Sequence, residues 1–257
     1  MKIATWNVNS LRMRMPHLLD WLRANPVDAL GVQEIKVENG KFPFLELESL
    51  GYKAAVNGQK TYNGVAILSK RPLEDVQFDM PEFGDEHKRV IAATVGGVRV
   101  VCIYVVNGQA VGSPKFEYKL RWLHALRAHL ARELAAHPHV AVVGDYNIAP
   151  ADEDVHDAAQ WDGHVLCSPA ERAAFRALLD LGLKDSFRLF PGAGPGFTWW
   201  DYRAGAFRRD LGLRIDHILV SAALADKVLS CQVDKTPRRL ERPSDHAPVV
   251  AELNLPL

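Results

Sequence analysis

Short apolar runs alternate with amphipathic stretches along the whole chain, which is the pattern of an α/β protein. Strand-length runs occupy residues 2–6, 29–32, 65–69, 90–95, 98–106, 140–143, 215–220 and 247–253. Helical spacing of apolar residues occurs at 12–23, 44–50, 115–136 and 169–181, with Gly182 expected to cap the last helix. Gly96 and Gly97 predict a tight antiparallel hairpin between two strands. Hairpins mixed with isolated buried strands favour an α/β sandwich with mixed sheets over an all-parallel barrel.

Nothing in the sequence divides the chain, so we expect residues 1–257 to form a single domain. The segments 150–168 and 191–196 are expected to be irregular loops, and loops on a rigid scaffold often carry function. The composition, 48% hydrophobic and 24% charged, is that of a soluble globular protein and excludes a disordered or fibrous chain. The apolar runs are too short to span a membrane.

The first residues lack the apolar core of a signal peptide, so we expect a cytoplasmic protein. Cys102, Cys167 and Cys231 form no closely spaced pair, which predicts buried thiols rather than a zinc or redox site.

The charges balance, with 31 Lys+Arg against 31 Asp+Glu. No overall positive field attracts a nucleic acid or an anionic membrane, so any such partner has to be bound by a local group of charges.

Acids and amides gather where predicted strands end or begin. These residues are Asn7, Glu34, Asp145, Asn147, Asp216, Asp245 and His246. If the strand ends share one edge, the side chains form an oxygen-rich pocket of the kind that binds Mg²⁺ or Mn²⁺. A strand-terminal Asp is more often a turn or cap residue, and a single His such as His246 is more often structural, so no one residue decides between the readings.

Eight short motifs, in order along the whole chain, resemble those of the exonuclease III family of DNA repair nucleases. They are WNVNSLR at 6–12, VQEIK at 32–36, NGVAI at 63–67, YVVNG at 104–108, GDYNIAP at 144–150, FTWWDYR at 197–203, LRIDH at 213–217 and SDHAP at 244–248. The resemblance implies a four-layered α/β sandwich with two mixed β-sheets flanked by helices. It also implies a Mg²⁺- or Mn²⁺-dependent phosphodiesterase that trims duplex DNA as a 3′-to-5′ exonuclease, with cleavage at abasic sites left open.

The resemblance further implies a set of site residues. Asn7 and Glu34 would form the principal metal site, with Asp145, Asn147, Asp245 and His246 as further candidate ligands. Tyr104 and Asn147 would bind the phosphate or transition state, and Asp145 would orient or deprotonate the attacking water. Asp216 and Asp245 flank His246, which either pairs with Asp245 as a base or donates to a phosphate oxygen.

Candidate DNA contacts follow from charge and position beside these motifs. They are Arg12, Lys36, Lys88, Arg89, Asn107, Lys115, Trp199, Arg203 and Arg209. Lys119, Arg121, Arg127, Arg132 and Arg208 are further basic candidates, of which the last turns of the long helix, with Arg127 and Arg132, fit a solvated face better. Trp199 is expected in the substrate pocket and Trp200 in the core. We expect a monomer that binds double-stranded DNA at 3′ ends, nicks or abasic sites, with no tight protein partner.

Three departures from the family pattern affect this picture. Val105 and Val106 stand where many relatives carry a Pro, and Asp210 introduces an acid beside the expected phosphate path. Val165 and Leu166 are bulky residues in the region that borders the family's abasic-sugar pocket, and they predict a narrowed pocket that favours 3′-end trimming. Two other classes remain open: a phosphoesterase acting on a small molecule or lipid head group, and a non-catalytic nucleic-acid-associated module.

Overall fold

The computed structural model describes residues 1–256, which form two six-stranded mixed β-sheets and a small two-stranded sheet. The strands are β1 (Lys2–Asn7), β2 (Ala29–Gln33), β3 (Lys53–Asn57), β4 (Val65–Ser69), β5 (Glu74–Phe78), β6 (Val90–Val95), β7 (Val98–Tyr104), β8 (Val140–Asp145), β9 (Lys184–Asp185), β10 (Trp199–Trp200), β11 (Gly212–Leu213), β12 (Asp216–Val220), β13 (Val228–Val233) and β14 (Val249–Leu253). The helices are α1 (Leu11–Ala24), α2 (Phe44–Glu48), α3 (Pro114–Ala136), α4 (Ala158–Trp161), α5 (Pro169–Leu179) and α6 (Ala222–Ala225). Short 3-10 helices cover Asn39–Lys41, Asp152–Asp154, Phe187–Leu189 and Thr236–Arg239.

Each large sheet has one parallel pair of strands near its middle. The first sheet has the order β13-β14-β1-β2-β4-β3, and its parallel pair is β1 with β2. The second sheet has the order β5-β6-β7-β8-β12-β9, and its parallel pair is β7 with β8. The carboxyl ends of parallel neighbours meet at one edge of a sheet, so each sheet offers one such edge for a site.

Three apolar layers hold the sandwich together. Ile67, Val100 and Val143 belong to the core between the two sheets. Outside the first sheet the apolar face of α1 packs on β1 and β2, and outside the second sheet α3 and α5 pack on β7 and β8. The order of layers is helix, sheet, sheet, helix, which confirms the fold expected from the resemblance.

Gly31 marks a close approach between the two sheets. A Cβ atom at Gly31 would lie 2.6 Å from Cγ2 of Val143 and 2.9 Å from Sγ of Cys102, both on the facing sheet. Ordinary carbon contacts are about 3.5–4.0 Å, so no larger residue fits at this spacing. Gly31 lies in β2 shortly before Glu34, and the sheet separation there bears directly on the site.

The predicted helices and strands are confirmed with small shifts of their ends. Helix α5 ends at Leu179 rather than at residue 181, and Gly182 follows with a φ of 100°. The segment 150–168 is less irregular than expected, because it contains α4 and a 3-10 turn. The sequence did not predict strands β3, β5, β9, β10, β11 and β13 or the short helix α6.

All three cysteines are buried free thiols, as expected. Among the described residues, no helix combines the length and the apolar character needed to cross a membrane.

Candidate active site

The predicted site residues meet at one edge of the sandwich. Strands β1, β2, β7 and β8 end there, and β12 begins there, with Asp216 opposite Asp145 and Tyr104 also opposite Asp145. The edge therefore gathers Asn7, Glu34, Tyr104, Asp145, Asn147, Asp216, Asp245 and His246. Both sheets contribute, because Asn7 and Glu34 lie at the ends of β1 and β2 in the first sheet, and Asp145 and Asp216 lie at the end of β8 and the start of β12 in the second.

Asn7 bridges the two sheets. Its Nδ2 donates to Oε1 of Glu34 and to Oδ2 of Asp145, at 2.9 Å in each case. The Oδ1 atom of Asn7 accepts from the backbone N–H of Asn9 at 3.0 Å, which fixes the direction of the amide. Glu34 adopts a left-handed backbone with a φ of 51°, and this turns its carboxylate toward Asn7 at the end of β2.

His246 is held by Asp216. Nδ1 of His246 lies 2.8 Å from Oδ2 of Asp216, and its Nε2 lies 3.6 Å from Oδ2 of Asp145. The pairing of His246 with Asp245 considered from the sequence is wrong. Successive residues of an extended segment point to opposite sides, and Asp245 instead accepts from Nε1 of Trp199 at 3.0 Å and from Nδ2 of Asn9 at 3.2 Å.

Burial and crowding of charge shift the titration of this cluster. Burial raises the pKa of Asp145 to about 7, with Asp216 adding to the effect and His246 opposing it. Burial would lower the pKa of His246, but the carboxylates of Asp216, Asp145 and Asp245 outweigh it and raise that pKa to about 10. Burial, with Glu34 and Asp145, also raises the pKa of Tyr104, so its hydroxyl keeps its proton and remains a donor.

Three of the six candidate metal ligands come together. Ligand atoms of Glu34, Asp145 and His246 lie within 4.8 Å of one another. Asn7 is adjacent but presents its amide nitrogen to the acids, so its oxygen could reach a cation only after the amide turned over. The side chain of Glu34 is 19% exposed and that of Asp145 is 2% exposed, and carboxylate oxygens are the ligands that a hard divalent cation prefers.

Asn147 lies beside this group with its backbone in the left-handed region, at a φ of 48°. Its N–H donates to Oδ1 of Asp145 at 2.9 Å, and its Nδ2 donates to the carbonyl of Val105 at 2.9 Å. Asn107 donates through Nδ2 to Oδ1 of Asn147 at 3.3 Å. The amide nitrogen of Asn147 carries two hydrogens, so one remains for a ligand.

Trp199 and Trp200 divide as expected between surface and core. Trp199 is half-buried on the wall formed with Asp245, whereas Trp200 is fully buried. The unusual acid Asp210 accepts from Nε1 of Trp200 at 3.1 Å and from Nζ of Lys235 at 3.3 Å. The carboxylate of Asp210 is thus bound to groups of the protein, and Lys235 partly neutralises its charge.

The candidate DNA contacts occupy different environments. Arg12, Asn107, Lys115, Arg203 and Arg209 are exposed. Lys36 lies 3.3 Å from Glu34 and donates to Oδ1 of Asn9 at 2.7 Å, while Lys88 lies 3.2 Å from Asp79. Arg89 is mostly buried with its guanidinium over the ring of Tyr104. Lys36, Arg89 and Lys115 line a cleft of about 180 Å³ next to Glu34 and Tyr104.

Two expectations from the sequence are wrong because the side chains are buried. Lys119 is fully enclosed and paired with Glu171, so it does not contact phosphate at the surface. Leu166 is 5% exposed and packs with Val155 and Leu213 in an apolar cluster, so it does not narrow a pocket. Val165 is half-buried against the same cluster.

Sequence reasoning missed three residues that support the site. Asn9 connects Lys36 to Asp245, and Thr198 accepts through Oγ1 from the N–H groups of Ile215 and Asp216. Glu171 anchors Lys119. Asn9 and Thr198 lie within the motifs at 6–12 and 197–203 that resemble the exonuclease III family, so these two residues could have been proposed from the sequence. Nothing in the sequence distinguishes Glu171 from a surface acid.

A mixed-sheet sandwich with an acidic, histidine-containing pocket at its edge defines the class of metal-dependent phosphoesterases. The sequence model of the Endonuclease/Exonuclease/phosphatase family matches residues 4–246. Exodeoxyribonuclease III of Haemophilus influenzae is 38% identical over 98% of this chain and 99% of its own length.

Solved structures agree with that match. The 3′ phosphatase NExo from Neisseria, bound to a product DNA hairpin, is 50% identical with a TM-score of 0.97 over 99% of this chain and 100% of its own. An AP endonuclease from Archaeoglobus fulgidus is 38% identical with a TM-score of 0.95 over the same shares. The chain belongs to the Endonuclease/Exonuclease/phosphatase family, and the resemblance to exonuclease III seen in the sequence is confirmed.

Proposed function

We propose that this protein is a DNA repair nuclease that hydrolyses phosphodiester or phosphomonoester bonds at the 3′ ends of duplex DNA, with Mg²⁺ or Mn²⁺. The observation that carries the proposal is the meeting of Glu34, Asp145 and His246 within 4.8 Å at the edge of both sheets. The relatives support DNA as the substrate, since one is an exodeoxyribonuclease III and another holds a product DNA hairpin.

Glu34 and Asp145 are the residues that would hold the cation, with Asn7 beside them. A hard divalent cation bound there neutralises charge on the phosphate and its leaving oxygen. Asp245 is occupied by Trp199 and Asn9, so its proposed part is to fix the wall of the pocket rather than to bind the ion.

The chain's own groups surround the remaining sides of a phosphate. Asp145, on the pocket floor, accepts a proton from the attacking water. The second N–H of Asn147 and the hydroxyl of Tyr104 donate to the phosphate oxygens, where negative charge develops in the transition state. Asp216 fixes the ring of His246 through Nδ1, which leaves Nε2 directed into the pocket. The geometry therefore favours His246 as a donor to a phosphate oxygen over its use as the base.

Trimming of 3′ ends is the activity we propose as dominant. The Neisseria 3′ phosphatase shares 50% of residues with this chain, more than the 38% shared with the archaeal AP endonuclease. Leu166 is buried and does not narrow the pocket that would take an abasic sugar, so of the two bulky residues only Val165 still favours a narrow pocket. Cleavage at abasic sites is therefore measured in the same assay.

The test uses labelled duplexes with a recessed 3′ end, a 3′-phosphate at a nick, or an internal abasic analogue. We expect shortening of the recessed strand and loss of the 3′-phosphate with Mg²⁺, and no reaction in EDTA or with His246→Ala. Hydrolysis of small phosphate esters without DNA cleavage would instead indicate a small-molecule phosphoesterase. DNA binding without any hydrolysis would indicate a non-catalytic module.

We also propose that the protein acts in the cytoplasm as a monomer. Three buried free thiols are compatible with a reducing compartment. Sedimentation with and without duplex DNA tests the monomer, and fractionation of cells tests the location.

A further inference from the structure

Lys119, on the inner face of α3, is a buried cation whose three N–H donors each have a partner. It is 0% exposed. Its Nζ donates to the carbonyl of Asn147 at 2.7 Å, to the carbonyl of Asn107 at 3.0 Å and to Oε1 of Glu171. An ammonium group has three donors, so its hydrogen-bonding capacity is completely used inside the protein.

The two carbonyls belong to residues that also meet through their side chains. Asn107 follows β7 and Asn147 follows β8, and Nδ2 of Asn107 donates to Oδ1 of Asn147 at 3.3 Å. The ammonium of Lys119 thus holds the two loops together through their backbone carbonyls, and the side-chain amides of Asn107 and Asn147 form a second link between the loops. Gly108 permits this, because a Cβ there would lie 3.0 Å from Cδ of Lys119.

Glu171 makes the anchor rigid. Its carboxylate accepts from the N–H of Leu166 at 2.9 Å, and from the N–H and hydroxyl of Ser168 at 3.1 and 2.6 Å. It is the third residue of α5 and forms a capping box with the N-cap residue Ser168. With Lys119 added, the carboxylate has four donors, so it joins α3 to the start of α5 and to the loop at Leu166.

We propose that Lys119 is a positioning residue for the phosphate-binding amide of Asn147. The inference rests on the proposed function, in which that amide donates to the substrate phosphate. Without the ammonium, the carbonyls of Asn107 and Asn147 lose a buried donor, and the left-handed turn at Asn147 is held less firmly against Asp145. A displacement of about 1 Å at a reacting group can cost about a hundredfold in rate.

The experiment compares two buried ion pairs, each of which has one residue on α3. Lys119→Met/Glu171→Gln removes the pair at Lys119 without leaving an unpaired charge. Arg99→Met/Glu133→Gln is the matched control, because Arg99 Nε lies 2.7 Å from Glu133, their side chains are 1% and 7% exposed, and their other partners lie outside the site. Single-turnover cleavage of a recessed 3′ end is measured with Mg²⁺, DNA affinity is measured by anisotropy in EDTA, and urea midpoints report folding.

We expect the Lys119 variant to lose roughly ten- to a hundredfold in single-turnover rate while its DNA affinity changes less than about threefold. The Arg99 variant, equally or more destabilised, should keep the rate of the unsubstituted protein. An equal rate loss in both variants overturns the proposal, because the effect is then structural. A loss confined to DNA affinity also overturns it. If the unsubstituted protein fails to cleave, the proposed function fails, and this inference fails with it.

Discussion

Gly31→Ala should destabilise the protein and also slow the reaction, because this glycine sets the distance between the two sheets. The added Cβ would stand 2.6 Å from Cγ2 of Val143, against about 3.5–4.0 Å for ordinary contact, so the sheets have to separate by about 1 Å. Overpacking of this kind costs about 1–3 kcal/mol of unfolding free energy. Gly31 lies on the strand that leads to Glu34, and Val143 on the strand that leads to Asp145.

The active site has residues on both sheets, so a change that separates the sheets lowers the unfolding free energy and also displaces the catalytic groups. Asn7 contacts both Glu34 and Asp145 at 2.9 Å, and a 1 Å separation breaks at least one of these bonds. We expect turnover to fall by about tenfold to a hundredfold at temperatures where the protein remains folded.

Urea denaturation followed by fluorescence gives the free energy of unfolding, and a labelled recessed duplex gives the rate. Gly40→Ala is the control, since Gly40 has no atom within 4 Å of an added Cβ and no positive φ. Val143→Ala in the Gly31→Ala background removes the closer of the two contacts and leaves Sγ of Cys102 at 2.9 Å from the added Cβ. The cost of the double change should therefore be smaller than the sum of the two single costs by at least about 0.5 kcal/mol. Unchanged stability and rate in Gly31→Ala, or strictly additive effects, would refute the reasoning.

Three further changes test the charges. Asp145→Asn should abolish turnover, by about 10²–10⁴-fold for the lost proton acceptor, while DNA binding in EDTA persists; retained activity contradicts its role. Asp216→Asn removes a carboxylate that raises the pKa of His246, so that pKa falls and the alkaline limb of the rate-against-pH profile should move to lower pH; an unmoved limb argues against His246 as donor. Burial alone would raise the pKa of Asp185, but the guanidinium of Arg214 outweighs burial and holds that pKa below its usual range. The ion pair therefore stabilises the folded state above the unfolded pKa of about 3.9, and this stabilisation is lost as the pH falls through the folded pKa. Urea midpoints between pH 5 and 3 should therefore fall less steeply in Asp185→Asn, and equal slopes would count against the linkage.

The central strands could be predicted because burial on both faces leaves a continuous apolar sequence. Strand β8 is buried at every position, and its sequence from Val140 is almost entirely apolar. Strand β5 is largely exposed, and the edge strand β13 alternates buried and exposed positions irregularly, so their mixed sequences resemble loops. Strand β3 has only three apolar residues, Ala54 to Val56, between Lys53 and Asn57, which is too short a run to predict a strand.

The membership of the site was predictable, but its pairings were not. The resemblance left open a pair between Asp245 and His246, whereas the fold places His246 against Asp216, thirty residues away in sequence. Lys119 has the spacing of a basic residue on an amphipathic helix, and only the packing of α5 shows that it is enclosed. Partner choice and burial of charge depend on tertiary contacts, which local sequence patterns do not specify.

The pairing of β1 with β14 has a consequence for the time at which this enzyme becomes active. Lys2 lies opposite Glu252, so β1, which also pairs with β2, gains its second neighbour only when β14 has been synthesised. Asp245 and His246 immediately precede that closing strand. A chain that ends before this strand lacks both Asp245 and His246, so we expect it to have no hydrolytic activity on DNA.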